Sequence, residues 1–504
     1  MPEMLPQPAH ALLLSLMIGC GGTTPEDTAT LPPADTAPDD TGDAPSAFTG
    51  ELRVDLQPGE WPNEIALGED IVVAVLARNG FEPADITDAE VRLWNAEETI
   101  ELAPTGSAGL QDVDGDGLDD HLFQFSYDAA MFSGSGPIRV KVGEYTAEDH
   151  FVDDTRLAFV YPELLGPYAV GTTSFDWEDT SRPDTRTAAL EYRRLPIQIW
   201  YPADLPADAQ PSAHYLRRDE SILIANYLGI YTTYFDYLFS HAHLNAPVST
   251  AQDKWPVLVF SHGYGVQLPN QTAFVQNAAS HGFIVVGLQH TYSTAYTMFQ
   301  DGTLATTYIN PASDTAGTQD MWTADLRFVL DQIEVLDTDD ARFAGRLDLD
   351  RMGAFGYSFG GSTTSELCRT DDRILAGLNV DGTFYGDDTP GFEQAFMLIN
   401  AANNFEDDNR APVLNAMNGT TYNLSIPDAR HQNFNDYALQ DEYISALTGG
   451  GHGLSIGTID SRLAYEIVHT YIAAFFGQHV TGESAALLGE DSPWPEAEFE
   501  VWNP

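Results

Sequence analysis

From Leu157 onward, short runs of consecutive apolar residues alternate with longer stretches of mixed texture. The runs Leu195–Trp200, Val257–Ser261, Phe283–Gly287, Met352–Phe355 and Ile374–Val380 are too apolar to be half-exposed strands and too short for helices. Between them lie segments of helical period, the clearest being Leu463–Phe476. This alternation predicts an α/β domain over 155–504, with a mostly parallel sheet and helices on both faces. Ahead of it, over 50–153, the runs shorten and alternate with polar residues: Ile71–Leu76, Glu90–Trp94, His121–Phe125 and Ile138–Val142, broken by Gly, Pro and Asn. That texture predicts a small β-sandwich. Residues 205–254 form an insertion between two sheet strands, rich in Tyr, Phe, Leu and Ile. It reads equally as a lid over a pocket or as a helix pair packed on the domain.

The first fifty residues follow neither pattern. An apolar run from Ala11 to Gly19 is too short to span a bilayer and is followed at once by turn-rich sequence, so residues 1–20 read as an export signal. Its end, Leu16-Met17-Ile18-Gly19-Cys20, resembles the bacterial lipobox, which implies lipidation of Cys20 and an anchor at the cell envelope; the alternative is plain secretion. Residues 21–49, dominated by Thr, Pro, Asp, Ala and Gly, lack the apolar side chains needed to offset the entropy of ordering and read as a disordered linker. With two cysteines in 504 residues there is no disulfide framework, and Cys368 reads as a small buried hydrophobe. The formal charge of −54, from 76 acidic against 22 basic residues, repels nucleic acid and anionic bilayers, so no nucleic-acid partner is expected. It suits a solvated surface in salty surroundings and says nothing of chemistry or oligomeric state.

Within the β-region, Asp112, Asp114, Asp116 and Asp120 occupy alternate positions of a loop that Gly117 allows to curve, and Leu118 would add a backbone carbonyl. A hard cation needs several oxygens on one such loop, so Ca2+ in a structural role is expected here. Phe123 stands where an EF-hand has its bidentate Glu, and a strand follows. The pattern therefore resembles the calcium loops between β-strands of bacterial surface proteins.

Chemistry points to Gly356-Tyr357-Ser358-Phe359-Gly360, which follows an apolar strand and opens a helix of small residues. A serine on so sharp a turn needs small neighbours two residues either side, and the helix start behind it favours developing negative charge. Acyl transfer also needs backbone N–H donors for an oxyanion: one from Phe359 after the serine, the second from Tyr264 in the loop Ser261-His262-Gly263-Tyr264-Gly265. His262 precedes the serine and reads as shaping that loop. The acid and histidine should come later. Asp381 directly follows a strand; Asp371, Asp372, Asp387 and Asp388 are surface alternatives. His469 and His479 fall with the packed helix, leaving His431 and His452 as even candidates.

Leu165–Thr173, Ile197–Pro202, Phe260–Gly263, Ser280–Val285, the serine turn, Asp381 and His431-Gln432-Asn433-Phe434 together resemble, in that order, the platelet-activating-factor acetylhydrolase family, isoform II or plasma type. The resemblance implies the α/β-hydrolase fold, a triad of Ser358, Asp381 and His431, oxyanion donors at Tyr264 and Phe359, and catalysis without a cofactor. It implies a lipid-like or other small ester as substrate, with short-acyl phospholipid deacylation as the activity; a general carboxylesterase or polyester hydrolase is the alternative. Tyr357 departs from the family, which commonly has His there, and is expected to line the pocket. A surface binding protein with a vestigial hydrolase domain is the reading from another class.

Overall fold

A computed structural model of the chain describes residues 54–56, 71–151 and 159–502, apart from 77–85, 88–89, 96–99, 112–119, 127–135, 143–144, 185–190, 206–212, 218–219, 222–237, 295, 306–313, 386–390, 402–415 and 442–454. The export signal, Cys20, the linker, Asp112, Asp114, Asp116, Leu118, and the aromatic heart of the insertion lie outside the described residues. The chain divides into two compact units.

In the smaller unit, β1 (Val54–Leu56), β2 (Ile71–Val75), β6 (Asp120–Phe125) and β5 (Gly106–Gln111) form one sheet in the order β1-β2-β6-β5. A second has the order β4-β3-β7-β8, from β3 (Val91–Trp94), β4 (Glu101–Leu102), β7 (Gly136–Val142) and β8 (Tyr145–Phe151). All pairings are antiparallel. Alternate residues Val73 and Val75, Phe123 and Phe125 of one sheet meet Val91 and Leu93, Val140 and Val142 of the other in one buried cluster. Period-two patterning thus gives each sheet an apolar face that only the other covers. Asp120, at the start of β6, is fully buried.

The larger unit is built on a ten-stranded sheet. Its strands are β9 (Ala169–Pro183), β10 (Tyr192–Ala203), β11 (Ala242–Leu244), β12 (Trp255–Ser261), β13 (Ile284–Leu288), β14 (Leu347–Tyr357), β15 (Ile374–Val380), β16 (Ala395–Ala401), β17 (Thr421–Ile426) and β18 (Glu498–Trp502). The order is β11-β9-β10-β13-β12-β14-β15-β16-β17-β18, with the six strands from β13 to β17 all parallel and antiparallel partners outside them. The central strands are buried on both faces, and alternation divides them between two cores. Leu258 and Phe260 of β12 join α1 (Thr272–Ser280) and α4 (Ser461–Phe476) on one face. Val257 and Val259 join α2 (Thr315–Asp339) and the Leu367 side of α3 (Phe359–Thr370) on the other. Cys368 is buried among the latter.

All five strands expected in this region are present. Strand β9, which pairs with β10 in a long hairpin, and strands β16 to β18 lack a pattern signal, and part of the 205–254 insertion, β11, joins the sheet edge. His479 lies beyond α4, in a π-turn at Gly477–Thr481. Among the described residues no helix is long and apolar enough to cross a membrane.

His469 on α4 is buried between the rings of Phe274 and Tyr465, and its Nδ1 has no hydrogen-bond partner among the described residues. Burial, with nearby His281, pushes its pKa down from 6.5 to about 3. The unfolded chain therefore takes up a proton that the folded chain refuses, and stability falls as pH drops from about 6.5 toward 3, by up to about 1.4 kcal/mol per pH unit. Thermal melts between pH 7.5 and 4.5 should accordingly show His469→Phe losing less stability on acidification than the parent.

Candidate active site

At the carboxyl end of β14 the chain passes from strand to helix within one residue, Ser358, whose φ of 54° and ψ of −121° are strained for a side chain with a Cβ. The neighbouring glycines are a steric necessity. A Cβ on Gly356 would lie 2.3 Å from the Gly360 carbonyl, and one on Gly360 would lie 2.1 Å from the Ser261 oxygen of the adjacent strand. The Ser358 N–H donates to the Val380 carbonyl at 2.8 Å, tying the turn to β15.

Beyond β15, Asp381 also has positive φ, 55°. Asn379 closes this turn by accepting from the Gly382 N–H at 2.8 Å and donating to the Gly382 carbonyl at 3.1 Å. Asp381 Oδ1 accepts the Ala401 N–H at 2.8 Å, leaving Oδ2 to face His431 Nδ1 at 2.5 Å. His431 Nε2 is 3.0 Å from Ser358 Oγ. His431 opens a 3-10 turn, His431–Phe434, after β17; Asn433 Oδ1 pins that turn by accepting from the N–H groups of Arg430 and Gly457. Asp436 secures the same loop: buried, it accepts the Ala273 N–H near the start of α1 and the Tyr161 hydroxyl, and burial pushes its carboxyl well above the usual range. Thus Ser358, Asp381 and His431, 73 and 50 residues from one another through the histidine, lie in one hydrogen-bonded row.

The other candidates lie apart. Asp371 pairs with Arg373, Asp372 is exposed, and Asp387, Asp388 and His452 are outside the described residues. His469 is in the core and His479 meets the Tyr422 hydroxyl. The expectation for Tyr357 needs correction: it does not line a pocket. At 1% exposure its ring stacks on His431 at 4.8 Å, and its hydroxyl donates to the His431 carbonyl at 3.0 Å. As the last residue of β14, it faces the sheet's interior rather than the mouth.

The loop after β12 passes beside the serine: a Cβ on Gly263 would fall 3.2 Å from Ser358 Cβ. His262 is enclosed and neutral, its pKa pushed down to about 3 mainly by burial; Nδ1–H donates to the Gly263 carbonyl and Nε2 accepts the His290 N–H. It therefore shapes this loop. Tyr264 follows, and its ring meets that of Phe359, the first residue of α3, at 5.9 Å. By position, the Phe359 N–H has no partner within its helix.

Sequence reasoning missed what lies behind the loop. Ser261 Oγ and His290 Nε2 are 3.0 Å apart, His290 Nδ1 meets Asp325 Oδ2 at 2.9 Å, and Asp325 takes a two-pronged bond from Arg193 at 3.1 and 2.7 Å. All four are buried. Burial pushes Asp325 up, but Arg193 and the other donors hold its carboxyl well below the usual range. The one sequence signal was His290 standing just past the carboxyl end of β13, where sites gather.

The sequence profile of the family "Platelet-activating factor acetylhydrolase, isoform II" matches residues 157–322. A probable 1-alkyl-2-acetylglycerophosphocholine esterase of Arthroderma benhamiae is 25% identical over 382 residues, covering 68% of this chain and 94% of the relative. The platelet-activating factor acetylhydrolase of Cavia porcellus is 25% identical over 379 residues, covering 68% and 80%. The chain is a carboxylic ester hydrolase. The esterase has the α/β-hydrolase fold: the structure of a ferulic acid esterase from Streptomyces cinnamoneus superposes with a TM-score of 0.56 at 25% identity, covering 67% of this chain and 98% of that one. These similarities support the family resemblance drawn from the motifs.

The crowding at the serine turn predicts that Gly360→Ala destabilises the esterase by about 2 kcal/mol or more, because backbone oxygens of Ser261 and His262 cannot yield. Gly489→Ala, which meets nothing within 4 Å, should stay within about 0.5 kcal/mol. Urea-unfolding midpoints of the two variants check this.

Proposed function

We propose that Ser358, His431 and Asp381 are the catalytic triad of this esterase and that it deacylates short-acyl, lipid-like esters. The observation that carries the reading is the His431 imidazole bridging Ser358 Oγ at 3.0 Å and Asp381 Oδ2 at 2.5 Å. In this arrangement His431 accepts the Ser358 proton as Oγ adds to the ester carbonyl. Asp381 holds the proton on Nδ1 and stabilises the imidazolium, its other oxygen kept occupied by Ala401. The oxyanion takes the N–H groups of Phe359 and Tyr264. The imidazolium then protonates the departing alcohol. Water, deprotonated by His431, attacks the acyl-enzyme, and Ser358 recovers its proton as the acid leaves. Every step balances without a metal or organic cofactor.

The substrate class is supported by the family match and by the relatives whose names state activity on 1-alkyl-2-acetylglycerophosphocholine and platelet-activating factor. A general aryl or alkyl carboxylesterase is the second reading, favoured by the likeness to a ferulic acid esterase and by the aromatic cluster of Tyr264 and Tyr385 about Phe359, the residue after the serine. Export with lipidation at Cys20, and calcium on the Asp112–Asp120 loop, complete the proposal; the latter rests on the carboxylate spacing and on Asp120 being buried at the foot of β6.

Ser358→Ala should retain the parent's melting behaviour and lose hydrolysis to background, and Asp381→Asn should lose roughly 10⁴-fold in kcat; a Ser358→Ala enzyme with normal turnover contradicts the triad. Initial rates on a short-acyl phosphocholine, a nitrophenyl ester series and an aliphatic polyester should favour the first, whereas equal kcat/KM on the aryl esters supports the second reading. Removing calcium with a chelator should lower the unfolding temperature of the smaller unit and leave kcat/KM unchanged.

A further inference from the structure

The buried row Ser261, His290, Asp325 repeats in miniature the contacts of the proposed triad, yet Ser261, His290 and Asp325 have no exposed surface, so no ester reaches them. The His290 ring of that row covers one face of a fully buried indole. Trp322, on α2, stacks on His290 at 3.8 Å between ring centres and 8° between planes. His262 meets its edge at 5.1 Å. Other contacts of the same indole reach both residues assigned as oxyanion donors: Tyr264 is nearly parallel to it, at 5.8 Å and 10°, and Phe359 meets it edge-on at 4.9 Å and 81°. The indole N–H donates to Ser293 Oγ at 2.9 Å, and the Ser293 carbonyl accepts the N–H of Gly265, the residue after Tyr264, at 2.9 Å.

We propose that Trp322 is the positioning residue of the oxyanion hole. The two N–H donors come from segments nearly a hundred residues apart, the loop after β12 and the start of α3, and each could drift independently of the other. Packing both side chains on one rigid plane ties their separation to the width of the indole. The stack on His290 then fixes the plane itself, because His290 is held through Asp325 by the paired bonds of Arg193. Ser293 adds a directional bond that sets the indole's rotation and, through Gly265, the height of the Tyr264 loop. Trp322 is fully buried, and its effect is exerted on how well the hole fits a tetrahedral oxyanion rather than a planar carbonyl. Losing it should therefore act on kcat and spare KM.

This inference rests on the assignment of Ser358, Tyr264 and Phe359 given above, and the test separates the two. Full-length parent, Trp322→Leu, Trp322→Phe and Ser293→Ala are titrated to completion with a fluorophosphonate, and rates on nitrophenyl butyrate are expressed per titrated site. Trp322→Leu is expected to lose about 10- to 100-fold in kcat with KM within about twofold, and Trp322→Phe, which keeps an aromatic wall, to regain most of it. Inhibition by phenylboronic acid, whose adduct with serine is tetrahedral, should weaken in proportion to kcat/KM across the series. Should Trp322→Leu fail to fold, Ser293→Ala decides, with a several-fold fall in kcat at constant KM expected. Labelling at Ser358 with unchanged kcat per site in Trp322→Leu, or in Ser293→Ala where the former does not fold, overturns the inference alone. A parent enzyme that is not labelled at Ser358 overturns the site assignment and this inference with it.

Discussion

At Ser358 a central strand must become a helix in a single residue, with the backbone at positive φ. Such a conformation costs on the order of 1–3 kcal/mol and persists only where its surroundings leave no alternative. Here they leave none. Gly360 abuts the Ser261 oxygen, Gly361 abuts Asn379, and the Ser358 carbonyl fills the space where Gly382 would carry a side chain. The turn is thus wedged between the ends of β12 and β15, the strands that lead to the loop carrying Tyr264 and to Asp381. Placing the serine places its partners too.

The same economy governs charge. Acidic residues vastly outnumber basic ones, and burying carboxylates without partners is costly. Three of the buried carboxylates are instructive. Asp381 is satisfied by Ala401 and His431, Asp325 by Arg193 and His290, and Asp436 by Ala273 and Tyr161. Each ties one loop of the site to the scaffold: the acid's own turn, the loop after β12, and the loop carrying His431. Replacing such groups with apolar residues of like volume often stabilises a protein, so their use here fits precision of geometry better than stability.

Much of this was legible in the chain itself. The central strands announced themselves because a sheet buried on both faces needs unbroken apolar runs, and the serine turn because its steric demands leave glycines at fixed offsets. Asp381 stood out as the first acid after a strand. His431 could not be separated from His452 by local pattern, since what selects it is a pairing across fifty residues. Strands β17 and β18 carry Thr, Asn, Ser and Glu among their apolar positions and lack that signal. Arg193 and Asp325 were invisible for a related reason: each is polar, each reads alone as surface, and only the fold brings residues 132 positions apart into one buried bond. Tyr357 was misjudged because adjacency to the serine in sequence suggested a pocket wall, whereas strand alternation turns it inward beneath His431.

The central claim is that one serine, raised on this turn and served by His431, carries the acyl group. Intact and peptide mass spectrometry after brief reaction with a fluorophosphonate tests it most directly. One adduct per chain is expected, located on the peptide containing Ser358, with labelling slowed by orders of magnitude in His431→Ala. An adduct on another serine, or equal labelling of Ser358 without His431, would contradict it.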